Sequence, residues 1–185
     1  MNKIIVTDVF GKTPALLTLA DAINADMIVD PYDGKSMNFI SEEQAYNYFI
    51  ENIGLNTYVD QLIKTIKQCS VESILIGFSV GASAIWTLSD SKSIQLPITV
   101  KRAICFYGSQ IRYHTSLLPC FEVELIFPKR EPHFDVLALR NILINKAKVT
   151  TLQVDFLHGF MNEHSNNFNQ TGYEEHVKLL QKIIS

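Results

Sequence analysis

The sequence has few cysteines and no long hydrophobic run. Its three cysteines, Cys69, Cys105 and Cys120, are odd in number and follow no metal-binding spacing, which argues against a disulfide framework and indicates buried thiols in a reducing compartment. No stretch reaches the roughly 18 apolar residues of a transmembrane helix, and the apolar segment near Met1 is too short for a signal peptide. We therefore expect a soluble, cytoplasmic protein.

Positive charge is also scarce. Lysine and arginine total 16 against 19 acidic residues, for a formal net charge of -3, so the chain has no general attraction for nucleic acid or anionic lipid. Its longest basic runs are two pairs, Lys101-Arg102 and Lys129-Arg130, which are typical of solvated strand or loop ends. We expect a small-molecule substrate as the partner, no nucleic acid and no membrane, and the sequence leaves the oligomeric state open.

The chain does contain enough apolar surface to form a core. Hydrophobic residues make up 47% and charged residues 19% of its 185 positions, a composition that argues against intrinsic disorder. This length fits one compact domain over residues 1–185. No repeat, low-complexity tract or Gly/Ser linker marks a domain boundary.

Short apolar runs alternate with longer segments of helical periodicity, a pattern typical of βαβ units around a parallel sheet. Six strands are predicted, at residues 3–7, 27–29, 73–76, 103–107, 123–127 and 149–154. Helices are predicted at 14–25, in two segments between Ser41 and Gln68, and at 82–88, 136–144 and 173–184. The fold class is therefore α/β, with a mostly parallel sheet and helices on both faces.

A Gly-Phe-Ser-Val-Gly motif follows the third predicted strand at residues 77–81. A sharp strand-to-helix turn there would hold Ser79 in a strained conformation above the sheet, and the flanking glycines would let the backbone approach closely. The amide of Val80 and the helix dipole would then face an oxyanion that forms on a substrate carbonyl. The alternative is an ordinary glycine-rich turn, because so short a motif also occurs by chance.

A serine nucleophile needs a histidine base and a carboxylate that orients the histidine. His158 is the best candidate of the five histidines, because it follows the last predicted strand and would emerge at the same sheet edge as Ser79. His176 falls inside the terminal helix, where a surface position is expected. Glu131 and Asp135 both follow the fifth strand, and Asp135 could instead cap a helix. The order Ser79, Glu131, His158 is that of α/β-hydrolases.

Several segments resemble the dienelactone hydrolase family of α/β-hydrolases. Beside the serine motif they are Thr-Asp-Val-Phe-Gly at residues 7–11, Asp-Pro-Tyr at 30–32, Ala-Ile-Cys-Phe-Tyr-Gly at 103–108 and His-Gly-Phe-Met-Asn at 158–162. The resemblance implies that the amide of Val9 joins that of Val80 in an oxyanion hole, and that the substrate is an ester, thioester or lactone. The mechanism calls for no metal or organic cofactor. The chain begins at what corresponds to the family's third strand, so the leading antiparallel hairpin is expected to be missing.

Some positions depart from the family pattern. The eponymous members have cysteine where this chain has Ser79 and aspartate where it has Glu131, and Asp8 stands in place of a glutamate. Asn162 replaces an arginine that grips the dienelactone carboxylate, so dienelactone itself is not the expected substrate. The short N-terminus, Glu131 and Asp8 keep a second hypothesis open, a catalytically inactive hydrolase-like scaffold that serves as a binding or interaction protein.

Two further features bear on the substrate. The basic pair Lys129-Arg130 lies beside Glu131 and would favour an anionic substrate by proximity. Residues 33–56 are rich in aromatic side chains, which form either part of an acyl pocket or ordinary helix core. These side chains are Phe39, Tyr46, Tyr48 and Phe49.

Overall fold

A six-stranded sheet forms the centre of the computed structural model, which describes residues 1–90 and 100–183. The strands are β1 (Asn2–Val6), β2 (Met27–Val29), β3 (Ser73–Phe78), β4 (Val100–Phe106), β5 (Glu122–Phe127) and β6 (Val149–Gln153). The helices are α1 (Pro14–Ala22), α2 (Glu42–Asn52), α3 (Gly54–Ile66), α4 (Val80–Leu88), α5 (Val136–Leu143) and α6 (Gln170–Ile183). Each predicted strand and helix is present within a few residues of its expected bounds. The predicted end of the last helix, Ile184, lies outside the described residues.

The strand order places the carboxyl ends of the central strands side by side. All five strand pairings are parallel, in the order β2-β1-β3-β4-β5-β6. Val6 pairs with Gly77, and Gly77 pairs with Cys105, so β1, β3 and β4 end at nearly the same level. The chain proceeds from β1 to one edge of the sheet and from β3 to the other, and such a switch point is where open α/β sheets place their ligands.

Helices cover both faces of the sheet, as the α/β prediction requires. On β1, Ile4 and Val6 pack into one hydrophobic cluster, while Ile5 packs into the other. Helices α2 to α5 contribute to the first cluster, and α1 and α6 contribute to the second. Strands buried on both faces explain the nearly continuous apolar runs in the sequence.

Polar side chains set the starts of the first two helices. Thr13 Oγ1 accepts a hydrogen bond from the amide of Leu16 at 3.2 Å. Pro14 occupies the first helical position, where a backbone N–H would have no partner within the helix, so proline costs no hydrogen bond there. Ser41 Oγ accepts from the amide of Gln44 at 3.1 Å, which confirms the predicted cap of α2. The cap fixes where α2 begins and therefore places the acidic first turn that follows it.

His176 is buried, and the expectation of a surface position is wrong. Its ring packs against the rings of Phe106, Phe156 and Phe160, with centroids 5.8, 6.0 and 5.0 Å away. Its Nδ1 lies 2.8 Å from the carbonyl oxygen of Gly172, one helical turn earlier. An imidazole whose ring nitrogen is satisfied within its own helix can face an apolar layer, because little desolvation penalty remains.

The three cysteines are free thiols. Cys105 is buried in β4, and burial raises the pKa of its thiol well above the ordinary value. Cys69 and Cys120 are half-buried. Within residues 1–90 and 100–183, no helix combines the length and the apolar character needed to cross a membrane.

Gly81 lets α4 pack closely against the end of β1. A Cβ at this position would overlap the carbonyl oxygens of Val6 and Thr7, which are main-chain atoms and cannot turn aside. We expect Gly81→Ala to lower the free energy of unfolding by about 3 kcal/mol in urea denaturation. Ser83→Ala is the matched control, because it removes only a hydrogen bond to the Ser79 carbonyl (3.2 Å) and should cost about 1 kcal/mol. Equal losses in the two variants would contradict this packing argument.

Candidate active site

Ser79 lies at the sharp turn between β3 and α4. Its φ of 51° and ψ of -112° are in the left-handed region that residues with a Cβ avoid, a strain of about 1–3 kcal/mol. The amide of Ser79 donates a hydrogen bond to the carbonyl of Phe106 at 3.0 Å, which ties the turn to β4. Because α4 begins at the next residue, Ser79 lies at the positive end of the α4 dipole.

His158 lies between Ser79 and Glu131. Its Nε2 is 3.1 Å from Ser79 Oγ, and its Nδ1 is 2.7 Å from Glu131 Oε1. The imidazole is 17% exposed and the Glu131 side chain 5% exposed. When Nδ1–H is donated to the carboxylate, Nε2 is left with a lone pair directed at the serine hydroxyl. This arrangement allows proton transfer from Ser79 to His158.

Asp135, the other carboxylate considered from the sequence, contacts a helix terminus. Its Oδ1 accepts hydrogen bonds from the amides of Leu137 and Ala138 at 2.8 and 3.1 Å, which caps α5. The side chain is exposed and makes no contact with His158 among the hydrogen bonds of the described residues. Of the two carboxylates, Glu131 reaches the histidine.

Three carboxylates influence the charge of His158. Burial lowers the pKa of the imidazole, but the hydrogen bond and the charge of Glu131, with smaller contributions from Glu42 and Asp8, outweigh burial and raise it above the ordinary value. The protonated form of the imidazole is therefore stabilised by its neighbours.

Asp8 and Asn162 contact each other beside the histidine. Asn162 Nδ2 donates a hydrogen bond to Asp8 Oδ2, and the amide of Phe10 donates to Asp8 Oδ1 at 2.9 Å. Desolvation raises the pKa of Asp8 above the ordinary value, although these hydrogen bonds and the nearby His158 oppose it. The contact ties the loop after β1 to the loop after β6.

The amides of Val9 and Val80 have no partners of their own. Within the described ranges of the chain, neither N–H donates a hydrogen bond to a protein group. The carbonyl of Val9 accepts a hydrogen bond from the Tyr32 hydroxyl at 2.7 Å, and this fixes the loop in which Val9 lies. Val9 and Ser79 line the same pocket. Two free amides beside a hydroxyl suit the recognition of an oxyanion.

A pocket of about 310 Å³ opens at Ser79. Besides Glu131, two acidic side chains line it, Glu42 and Glu43 from the first turn of α2. The ring of Tyr46 from the same helix also lines it. Phe49, by contrast, is fully buried in the core. The aromatic segment therefore supplies both a pocket wall and core packing, the two alternatives that the sequence left open.

Arg112 also lines this pocket, and sequence analysis did not single it out. Its Nη1 donates to the Ser109 carbonyl at 2.6 Å and its Nη2 to the Tyr113 hydroxyl at 2.7 Å. The guanidinium lies over the rings of Tyr113 and Phe134, at 4.2 and 5.2 Å from their centroids. Among the ion pairs of residues 1–90 and 100–183, none involves Arg112. Arg112 belongs to a five-residue 3-10 helix (Ser109–Tyr113), an element too short to show a hydrophobic period.

Neither residue of the basic pair Lys129-Arg130 lines this pocket. Lys129 Nζ is 3.5 Å from Asp155 Oδ1, and both side chains are exposed. Arg130 lines an adjoining groove of about 420 Å³, which shares Glu131 and His158 with the pocket. The positive charge that lines the pocket of Ser79 is that of Arg112.

Comparison with known sequences gives the family. The chain is 34% identical over 143 residues to the uncharacterized protein YczH of Bacillus subtilis (strain 168), a match that spans 76% of this chain and 68% of that protein. The chain belongs to the YczH family. No family model matches the sequence.

Comparison with solved structures confirms the fold of this chain, a relative of YczH. A dienelactone hydrolase-like protein of Klebsiella pneumoniae subsp. pneumoniae MGH 78578 superposes with a TM-score of 0.75 at 12% identity, over 97% of this chain and 84% of that one. An α/β serine hydrolase homologue of Coxiella burnetii superposes with a TM-score of 0.61 at 11% identity, over 100% of this chain and 85% of that one. The fold is that of the dienelactone hydrolase-like α/β-hydrolases.

We expect Glu42→Gln to lower the pKa of His158, because the charge of Glu42 raises it. An NMR titration of the imidazole measures this shift directly and requires no substrate. Glu43→Gln is the matched control: Glu43 lines the same pocket but is not among the charges that act on His158. An unchanged titration in Glu42→Gln, or equal shifts in the two variants, would contradict this account of the electrostatics.

Proposed function

We propose that the protein is a serine hydrolase of carboxylic esters, thioesters or lactones. The observation that carries this proposal is the hydrogen-bonded line from Ser79 Oγ through His158 to Glu131, with distances of 3.1 and 2.7 Å. Nucleophile, base and orienting acid occur together in this order in serine hydrolases. The similarity in fold to a serine hydrolase homologue and to a dienelactone hydrolase-like protein supports it.

Acylation begins with attack by the serine. His158 Nε2 takes the proton of the Ser79 hydroxyl as Oγ forms a bond to the substrate carbonyl carbon. Glu131 holds Nδ1–H, keeps the ring oriented and stabilises the imidazolium. The carbonyl oxygen becomes an oxyanion, which the amides of Val9 and Val80 stabilise.

The first intermediate collapses when its bond to the alcohol or thiol breaks. The imidazolium of His158 gives its proton to this leaving group, and the acyl group remains on Ser79. In deacylation, water attacks the acyl carbon as His158 takes a proton from it. The bond from the acyl carbon to Oγ then breaks, Oγ regains the proton from His158, and the acid is released. Protons and bonds balance without a metal ion or an organic cofactor.

The Arg112 guanidinium indicates the substituent on the acyl group. Two of its five N–H groups are engaged by Ser109 and Tyr113, so three donors remain. The rings of Tyr113 and Phe134 hold the Arg112 side chain in place before any ligand binds. Less side-chain entropy is therefore lost when a ligand binds. We infer that the acyl group carries an anion that contacts Arg112.

Ser79→Ala and His158→Ala should each abolish the release of p-nitrophenol from p-nitrophenyl acetate, and Glu131→Ala should lower kcat by about 10⁴-fold. Asp135→Ala is the matched acid control. It loses the cap of α5 at a cost of about 1 kcal/mol in stability, but should keep its activity. Circular dichroism would establish that each variant is folded.

Two outcomes would overturn the proposal. One is a wild-type protein with no hydrolysis above buffer for acetate, longer acyl esters and thioesters. The other is full activity in Ser79→Ala. The first result would favour the inactive scaffold that the sequence left open, because the hydrogen-bonded line would then be present without chemistry. The second would show that hydrolysis does not depend on Ser79 as nucleophile.

Arg112→Gln should reduce the preference for an anionic acyl group. We expect the ratio of kcat/KM for the mono-p-nitrophenyl ester of succinic acid to that for p-nitrophenyl butyrate to fall about tenfold, because a charged hydrogen bond contributes about 1.5–3 kcal/mol. Arg130→Gln, which removes an equal charge from the neighbouring groove, should leave the ratio unchanged. The assignment fails when Arg112→Gln leaves the ratio intact or when both variants lower it equally.

A further inference from the structure

Asn167 lies in the loop between β6 and α6 and contacts His158, whose ring in turn contacts Ser79. Its Nδ2 donates a hydrogen bond to the main-chain carbonyl of His158 at 2.9 Å. The side chain lines both the pocket of Ser79 and the groove beside Arg130. Asn167 therefore borders the site without contacting Ser79 or Glu131 through any hydrogen bond of the described residues.

This hydrogen bond fixes the main chain at His158. Among the hydrogen bonds of residues 1–90 and 100–183, it is the one bond that the main chain of His158 makes. The other contacts of His158 are made by its ring, with Glu131, Ser79 and the face of Tyr107, whose centroid is 4.8 Å away. The position of the imidazole thus depends on a backbone that one side chain anchors.

The loop is built to hold Asn167 in this place. Gly159 has a φ of 85°, and a Cβ there would overlap Ser165 Oγ, so the loop folds back directly onto the residue after His158. Ser165 is buried, and its Oγ accepts a hydrogen bond from the amide of Asn167 at 3.2 Å. The same hydroxyl donates to Glu42 Oε2 at 3.4 Å, which links the loop to α2.

We propose that Asn167 is a positioning residue that sets the backbone of His158 so that both ring nitrogens reach their partners at once. This inference rests on the proposed function for the role of His158 as base. Both ring contacts are near the ideal hydrogen-bond length, so a displaced backbone would lengthen at least one of them. A misplacement of about 1 Å can cost about 100-fold in rate.

Asn167→Ala should lower kcat for p-nitrophenyl acetate by about 10- to 100-fold and leave KM within about twofold, because ground-state binding does not use the bond. Asn167→Asp keeps the shape and removes the donor, so it should lose activity similarly while preserving the fold. The NMR titration of His158 gives a second readout. Its pKa should fall toward the ordinary value in Asn167→Ala, because the contact with Glu131 that raises it is loosened.

Asn169→Ala is the matched control in the same loop. Asn169 Oδ1 accepts a hydrogen bond from the amide of Gly172 at 2.9 Å at the start of α6. Among the hydrogen bonds of the described part of the chain, none joins Asn169 to His158. Its loss should lower the melting temperature by about 2–4 °C and leave kcat and the His158 titration unchanged.

The outcomes separate this inference from the proposed function. Equal losses of kcat in Asn167→Ala and Asn169→Ala, or an unaltered His158 titration in Asn167→Ala, would overturn the positioning role. A wild-type protein without activity would overturn the proposed function, and the titration would still decide whether Asn167 sets the contact between His158 and Glu131.

Discussion

The site depends on the close approach of α4 to the end of β1 at Gly81. Because a Cβ there would meet the carbonyl oxygens of Val6 and Thr7, only glycine lets the helix begin directly over the switch point of the sheet. The chain must then turn within a single residue, and that residue, Ser79, takes a φ of 51°. The buried surfaces of β3 and α4 on either side offset the local strain, which is of the order of 1–3 kcal/mol.

The same crowding at the sheet edge produces the electrostatics of the site. His158, Asp8 and Glu42 come from loops or helix starts that meet above the carboxyl ends of the strands, where each is partly buried. Burial disfavours both the protonated imidazole and the ionised carboxylate, so the pKa of His158 is held up only by neighbouring carboxylates, and the pKa of Asp8 rises. The protonation states of His158 and its neighbouring carboxylates therefore depend on one another. Of these carboxylates, Glu131 is hydrogen-bonded to the imidazole ring.

Periodicity and topology explain what could be predicted from the sequence. Six short apolar runs predicted the sheet, and the common carboxyl edge of parallel strands predicted that Ser79, Glu131 and His158 would meet. The choice between Glu131 and Asp135 depended on loop geometry, which no pattern of residue types specifies. Arg112 and Asn167 were missed for the same reason, since one lies in a 3-10 helix and the other in an irregular loop. The surface position expected for His176 is wrong because residue type alone does not decide burial. His176 lies between Gly172 and Leu180 on the buried face of α6.

The contact between Asp8 and Asn162 joins two of the departures from the dienelactone hydrolase pattern. A guanidinium at position 162 would neutralise the carboxylate at position 8, whereas the neutral amide of Asn162 provides a hydrogen bond without charge. Burial raises the pKa of Asp8, although the hydrogen bond from Asn162 lowers it, and that bond ties the loop after β1 to the loop after β6. Position 162 then supplies no cation to a substrate, and Arg112 is the cation that lines the pocket.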